Sequence, residues 1–143
     1  IYYYANAKNY LVSGTGNRSE ILIGYFTKHG DGACDMEPIG DLYKTEVYEL
    51  SKIMDVKREI LEKPPRAGLW NNQTDEDEIG MSYDLLDQIL YLYTEKDIKN
   101  TEIAEKLIIS SHTAKAHVTN ILTKLAVTDR VQAAVKAVKE GLV

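Results

Sequence analysis

Two stretches of this 143-residue chain hold residue types that could do chemistry. The first begins at GTGNRSE (14–20), where Gly14 and Gly16 flank Thr15 and a carboxylate, Glu20, closes the run. Small residues at such a turn let backbone N–H groups approach an anion, and a hard carboxylate suits a divalent cation. Behind it come Lys28, Asp35, Lys44 and Arg66, then the acidic run 75–78. Each feature also has an ordinary reading. Residues 17–20 match a helix cap, isolated Lys and Asp are commonly solvated surface, and an acidic run is commonly a solvated loop. The second stretch is ISSHTAKAHVTNILTKL (109–125). As a helix it buries Val118, Ile121, Leu122 and Leu125 on one stripe and presents His112, Thr113, Lys115, Ala116, Thr119 and Asn120 on the other. That outer face mixes donors with small residues and has no carboxylate to repel phosphate. Such a helix can enter a DNA major groove, Lys115 donating to guanine or phosphate, Ala116 touching a thymine methyl, and Thr113, Thr119 and Lys124 holding phosphates. The ordinary reading is a packed helical hairpin.

The elements that must position these residues follow from pattern and punctuation. Residues 2–10 read as a short helix, and the apolar run 10–13 as a buried strand turning at Gly14. Ile21, Leu22 and Tyr25 sit on a helix over 17–26, and the glycines and proline of 28–40 make a loop. Asp41 is expected to cap a helix to residue 54 with Leu42, Val47, Leu50 and Ile53 on one side. A short helix over 57–62 stops at Pro64 and Pro65, and 66–80 is a loop dense in carboxylates. Ser82 caps an amphipathic helix to residue 93 whose buried face holds Leu85, Leu86, Ile89, Leu90 and Leu92. Asn100 caps a helix over 101–107 that buries Ile103, Ala104 and Leu107, and helices over 111–125 and 129–140 follow.

Length and composition bound the possibilities. At 44% hydrophobic residues, 143 residues can bury one ordinary core, or a small core with an appendage. The single cysteine, Cys34, excludes internal disulfides, and no apolar run approaches the ~18 residues of a membrane helix. A cytoplasmic protein is expected. The net charge of −5 divides unevenly, with 9 Lys/Arg against 16 Asp/Glu in 1–93 and 8 against 6 in 94–143. The acidic part argues against nucleic acid; the tail taken alone does not. The chain opens at Ile1 in an apolar helical pattern without a signal peptide, so a piece of a longer protein is expected.

The motifs VSGTGNRSE, GYFTKHGDG, PIGDLYKTEV, EKPPRAGLW and QTDEDEIGMSYDLLDQIL, in this order, resemble the C-terminal half of ammonia-dependent NAD synthetase. That family adenylates deamido-NAD with ATP and then amidates it, a carbon–nitrogen ligation. The resemblance implies that Thr15, Lys44 and Arg66 face ATP, that Glu20 binds magnesium, and that Lys28 and Asp35 contact deamido-NAD. It also implies an α/β Rossmann-like fold related to the adenine nucleotide hydrolases, here with few strands and mostly helical. The chain departs from the pattern in three places. No SGGxDS pyrophosphate loop is present, Arg66 stands where the family usually has a small hydroxyl residue, and the family's closing His-Lys pair is missing.

The downstream run NTEIAEKLIISSHTAKAHVTNILTKLAVTDRVQAAVKAVKEGLV resembles the C-terminal helix-turn-helix domain of LuxR-family regulators. This implies an all-α bundle over 94–143 that binds double-stranded DNA through 100–125. A basic residue is common in the family where this chain has Thr119. The family's first helix has no separate copy here, so helix 82–93 is expected to serve both modules by packing on Ile103, Leu107, Ile121 and Leu122. Exposure of Leu86, Ile89 and Leu90 would refute that sharing. Both families commonly form homodimers, and Val131, Ala134, Val135 and Val138 offer a contact. Three parts are therefore expected: a partial synthetase over 1–81, a shared helix, and the tail. By itself the chain is expected to be inactive as a synthetase, with DNA binding its more complete activity. The alternative is that the tail is structural or an artificial fusion.

Overall fold

The computed structural model describes residues 1–96, 98–129 and 132. Helices dominate: α1 (Tyr2–Lys8), α2 (Arg18–Ile23), α3 (Lys44–Ile53), α4 (Arg58–Leu61), α5 (Asp75–Ile79) and α6 (Tyr83–Leu90) are followed by a π-turn over Tyr91–Glu95, then α7 (Asn100–Lys106) and α8 (Ser111–Lys124). The chain divides into two units, one formed by Ile1–Ile21 with Phe26–Gln88 and the other by Leu22–Tyr25 with Ile89–Val143.

In the first unit the expected strand at 10–13 is reduced to one parallel bridge, Ser13 to Met36. Gly14 N–H donates to the Met36 carbonyl at 2.7 Å and Asp35 N–H to the Val12 carbonyl at 2.9 Å. Val12 is buried there. Asp35 Oδ2 accepts the Val12 N–H at 2.7 Å and Oδ1 the Tyr2 hydroxyl at 3.0 Å, so one side chain supports both the bridge and α1.

Several boundaries differ from the sequence expectation, each for a local reason. Helix α1 stops at Lys8 because Asn9 turns left-handed at φ 55°, a conformation asparagine tolerates. Helix α2 stops at Ile23 before Gly24, at φ 69°. The loop expected over 66–80 contains α5. Thr74 caps it by accepting the Asp77 N–H, Gly80 ends it at φ 80°, and its four carboxylates favour the positive end of the helix. The helix expected to reach residue 93 gives way after Leu90 to the π-turn, where the Thr94 hydroxyl donates to the Leu90 carbonyl at 2.7 Å. Leu86, Ile89 and Leu90 are fully buried on α6, each burial contributing about 1.5–3 kcal/mol. The division between the units falls between Gln88 and Ile89, inside this helix.

In the second unit α7 packs against the π-turn and against α8. Its N-cap is Lys99 rather than Asn100, and no side chain caps it. Ser110 caps α8 as expected, accepting the Thr113 N–H at 3.0 Å. Ile103 and Ala104 of α7 are buried, as are Ala114, Val118 and Ile121 of α8. Leu122 and Leu125, expected on the same stripe, are only half-buried. The helix expected over 129–140 and the apolar face Val131, Ala134, Val135 and Val138 lie outside the described residues, apart from Asp129 and Gln132.

Candidate functional site

The polar centre of the first unit forms where α2, α3, α5 and α6 bring their side chains together. Asn17 and Glu20 make the reciprocal cap read from the sequence: Glu20 N–H donates to Asn17 Oδ1 at 3.1 Å and Asn17 N–H to Glu20 Oε2 at 3.2 Å. The cap leaves Glu20 Oε1 free to meet Lys44 Nζ at 3.0 Å. Only 17% of the Glu20 side chain and 19% of the Lys44 side chain are exposed, so the pair is largely withdrawn from water. The Tyr83 hydroxyl lies 3.3 Å from Glu20 Oε1 and 3.4 Å from Asp75 Oδ2, sharing one proton between two carboxylates. The Lys44 ammonium also stands over the Tyr83 ring, 5.1 Å from its centre. The helix-cap reading of Glu20 is thus seen at Oε2, while Oε1 meets Lys44 and the Tyr83 hydroxyl.

Beneath this pair lies a polar core that the sequence reading missed. Asp87, 5% exposed, accepts the Ser19 hydroxyl on Oδ1 at 2.5 Å and the Thr45 N–H on Oδ2 at 2.9 Å. Ser19 Oγ in turn accepts the Lys44 N–H at 2.9 Å. Two of the open N–H groups at the start of α3 are therefore capped by residues distant in sequence. This explains why α3 starts at Lys44 and not beside Asp41. The available signal was a carboxylate set among the apolar positions Leu86, Ile89 and Leu90 of an amphipathic helix.

Lys44 also lines a cleft of about 270 Å³ with Val47, Tyr48, Val56, Pro65 and Arg66. Two of the residues expected to face ATP, Lys44 and Arg66, thus share one concavity with apolar walls, close to the lower size of a small-molecule pocket. Lys63 lines it as well and adds a third cation. Burial pushes the Tyr48 phenol above the ordinary tyrosine range, while the nearby Lys44 charge pulls the other way.

The remaining expected contacts are dispersed. Thr15 is exposed on its glycine turn, but the turn is closed by the chain's own Glu37, whose Oε2 accepts the Gly16 N–H at 2.8 Å. A Cβ on Gly14 would stand 2.5 Å from the Glu37 carboxylate and 2.6 Å from Cys34 Sγ, so a larger residue here would displace those side chains. The Cys34 thiol donates to Glu37 Oε1 at 3.0 Å; that bond, then burial, raises its pKa. Lys28 is exposed in its loop, and both Asp35 oxygens are engaged as described above. In the second unit Lys115, Ala116, Thr119 and Lys124 are exposed, while the Thr113 hydroxyl lies 2.8 Å from Ser110 Oγ within the α8 cap.

Comparison with known proteins bears on both units. A family model described as NAD synthase matches residues 1–128. The NH(3)-dependent NAD(+) synthetase of Thermoplasma acidophilum is 51% identical over 121 residues, covering 85% of this chain and 50% of that protein. The enzyme of the same description from Methanocaldococcus jannaschii is 60% identical over 93 residues, 65% of this chain and 36% of that protein. Among solved structures, the NH3-dependent NAD synthetase of Campylobacter jejuni in complex with nitrate covers 90% of this chain and 48% of its own, with 30% identity and a TM-score of 0.57. The NMN synthetase of Francisella tularensis covers 63% and 38%, with 51% identity and a TM-score of 0.60. This chain spans half or less of each of these relatives. The regulator-like reading of residues 94–143 gains no support from them, because the synthase match continues through α7 and α8. The same family description therefore accounts for the polar centre, the cleft and the helices that follow: the chain belongs to the NAD synthase family.

Proposed function

We propose that this chain supplies part of an ATP-dependent NAD synthetase, the part that holds ATP beside deamido-NAD for amidation to NAD. The observation that carries this is the cleft itself, where Lys44 and Arg66 meet with Glu20 paired to the first of them. Its apolar walls suit a nucleoside and its cations suit phosphate. Among the described residues no group of three or more His, Cys, Asp or Glu could hold a metal. Glu20 would instead hold magnesium jointly with ATP phosphates, a common arrangement for that ion. When bound, magnesium neutralises charge on the phosphates.

Thr15, through its exposed hydroxyl, is a further ATP contact in this reading. Lys28 and the remaining lone pairs of Asp35 contact deamido-NAD. The 143 residues contain no SGGxDS loop, and transfer to a phosphate centre depends on phosphates, metal and nucleophile being held together. By itself this chain therefore binds nucleotide without turning it over. Helices α7 and α8 take a structural role in place of the DNA contacts first assigned to them.

Calorimetric titration with ATP, with and without magnesium, tests the proposal. Saturable binding that weakens at least about tenfold in Lys44→Met is the expected result, and no ATP binding by the wild-type chain overturns the reading. Incubation with deamido-NAD, ATP and ammonia is expected to yield no NAD. For the tail, duplex DNA at low salt is expected not to bind. Salt-dependent binding abolished by Lys115→Glu would restore the DNA-reading assignment.

A further inference from the structure

The strongest unused feature is the buried Asp87, which touches neither the cleft nor the Glu20–Lys44 pair and yet is tied to the elements carrying both. Its two oxygens are divided between α2 and α3: one accepts the hydroxyl of Ser19, adjacent to Glu20, and the other the N–H of Thr45, adjacent to Lys44. Ser19 completes the link by accepting the Lys44 N–H. The backbones that bear Glu20 and Lys44 are thus joined through one carboxylate and one hydroxyl. Neither group has another described role. Asp87, 5% exposed, also places its carboxylate at the first turn of α3, the end of the helix that favours an acceptor.

We propose that Asp87 is a positioning residue, which sets α3 against α2 so that Lys44 Nζ and Glu20 Oε1 meet beside the cleft. This rests on the reading of Lys44 and Glu20 as nucleotide and metal contacts. Leucine is close in size and has no acceptor, so Asp87→Leu removes both links along with the carboxylate. Ser19→Ala removes the second half of the same linkage without touching α6.

The test reads the placement of Lys44 directly. Each chain is exposed to an amine-acylating reagent, and modification of Lys44 and Lys52 is followed in the same molecule by mass spectrometry. Lys52, with 59% of its side chain exposed, serves as the internal reference. In the wild-type chain Lys44 is expected to react more slowly than Lys52. In Asp87→Leu and Ser19→Ala, Lys44 is expected to accelerate several-fold while Lys52 keeps its rate, and ATP affinity is expected to fall about tenfold. Unchanged labelling of Lys44 in both variants overturns the proposal. So does equal acceleration of both lysines, which would mean a general loosening of the unit. If the wild-type chain binds no ATP, the functional reading falls, and the labelling ratio still decides the role of Asp87.

Discussion

Replacing Lys44 by methionine should destabilise the first unit by about 2 kcal/mol, a value set by the environment of the ion pair. A pair in open water contributes ~0–1 kcal/mol, whereas stranding one member of a buried pair costs ~3–5 kcal/mol. Glu20 and Lys44 are 17% and 19% exposed, nearer the buried limit, yet the carboxylate left behind keeps the Asn17 N–H at 3.2 Å and the Tyr83 hydroxyl at 3.3 Å. Those contacts hold the cost below the upper figure. Glu20→Gln should cost less, about 1 kcal/mol, because the freed ammonium retains the Tyr83 ring at 5.1 Å and can turn towards the open cleft. The double variant should fall short of the sum by about 1 kcal/mol, the coupling between the two charges. Urea unfolding followed by circular dichroism measures all four proteins, provided that the slopes agree. Molar salt should diminish the coupling only in part, since a withdrawn pair is weakly screened. Strict additivity, or a Lys44→Met cost below about 0.5 kcal/mol, would show that the pair is held by its neighbours rather than by its charges.

Two further outcomes follow from single groups. The Tyr48 phenol is raised above 10.0, so its contribution to stability is complete below pH 10.0 and declines as pH rises through its value in the folded chain. Subtracting the ultraviolet phenolate titration of Tyr48→Phe isolates this group among ten tyrosines, and Lys44→Met should move it to still higher pH by removing the charge that favours phenolate. A downward movement would contradict the assigned cause. Ile108 occupies the left-handed region at φ 55° with 93% of its surface exposed, so it carries backbone strain without compensating burial. Ile108→Asn should therefore raise the unfolding free energy by about 1 kcal/mol, and a lowered melting temperature would refute that account.

Much of the helical framework was legible from the sequence because its signals are local. Ser110 marked the start of α8, Pro64 and Pro65 marked the end of the short helix realised as α4, and apolar spacing placed Leu86, Ile89 and Leu90 inside. Helix α5 was missed although Thr74, Asp77 and Gly80 all signalled it, because a run of four carboxylates was read by its charge and not by its caps. The start of α3 was misplaced for the opposite reason: Glu46 accepts the Tyr43 N–H locally, but the next two N–H groups are capped by Ser19 and Asp87, which no window around residue 44 contains. The helical hairpin in the tail showed a further ambiguity. A short helix, a tight link and a capped second helix serve equally as a DNA reader or as packing, and the hydrophobic stripe is the same in both.

The order of motifs from GTGNRSE to QTDEDE was enough to indicate the synthetase family and to name Glu20, Lys44 and Arg66 as candidates, since residue identity and chain order are properties of the sequence. That Lys44 and Arg66 line one cleft, that Lys44 is held by Glu20, and that a buried Asp87 joins the helices beneath them depended on the fold. The physical reason is distance: hydrogen bonds and ion pairs act over about 3 Å, while Ser19 and Asp87 stand 68 positions apart in the chain.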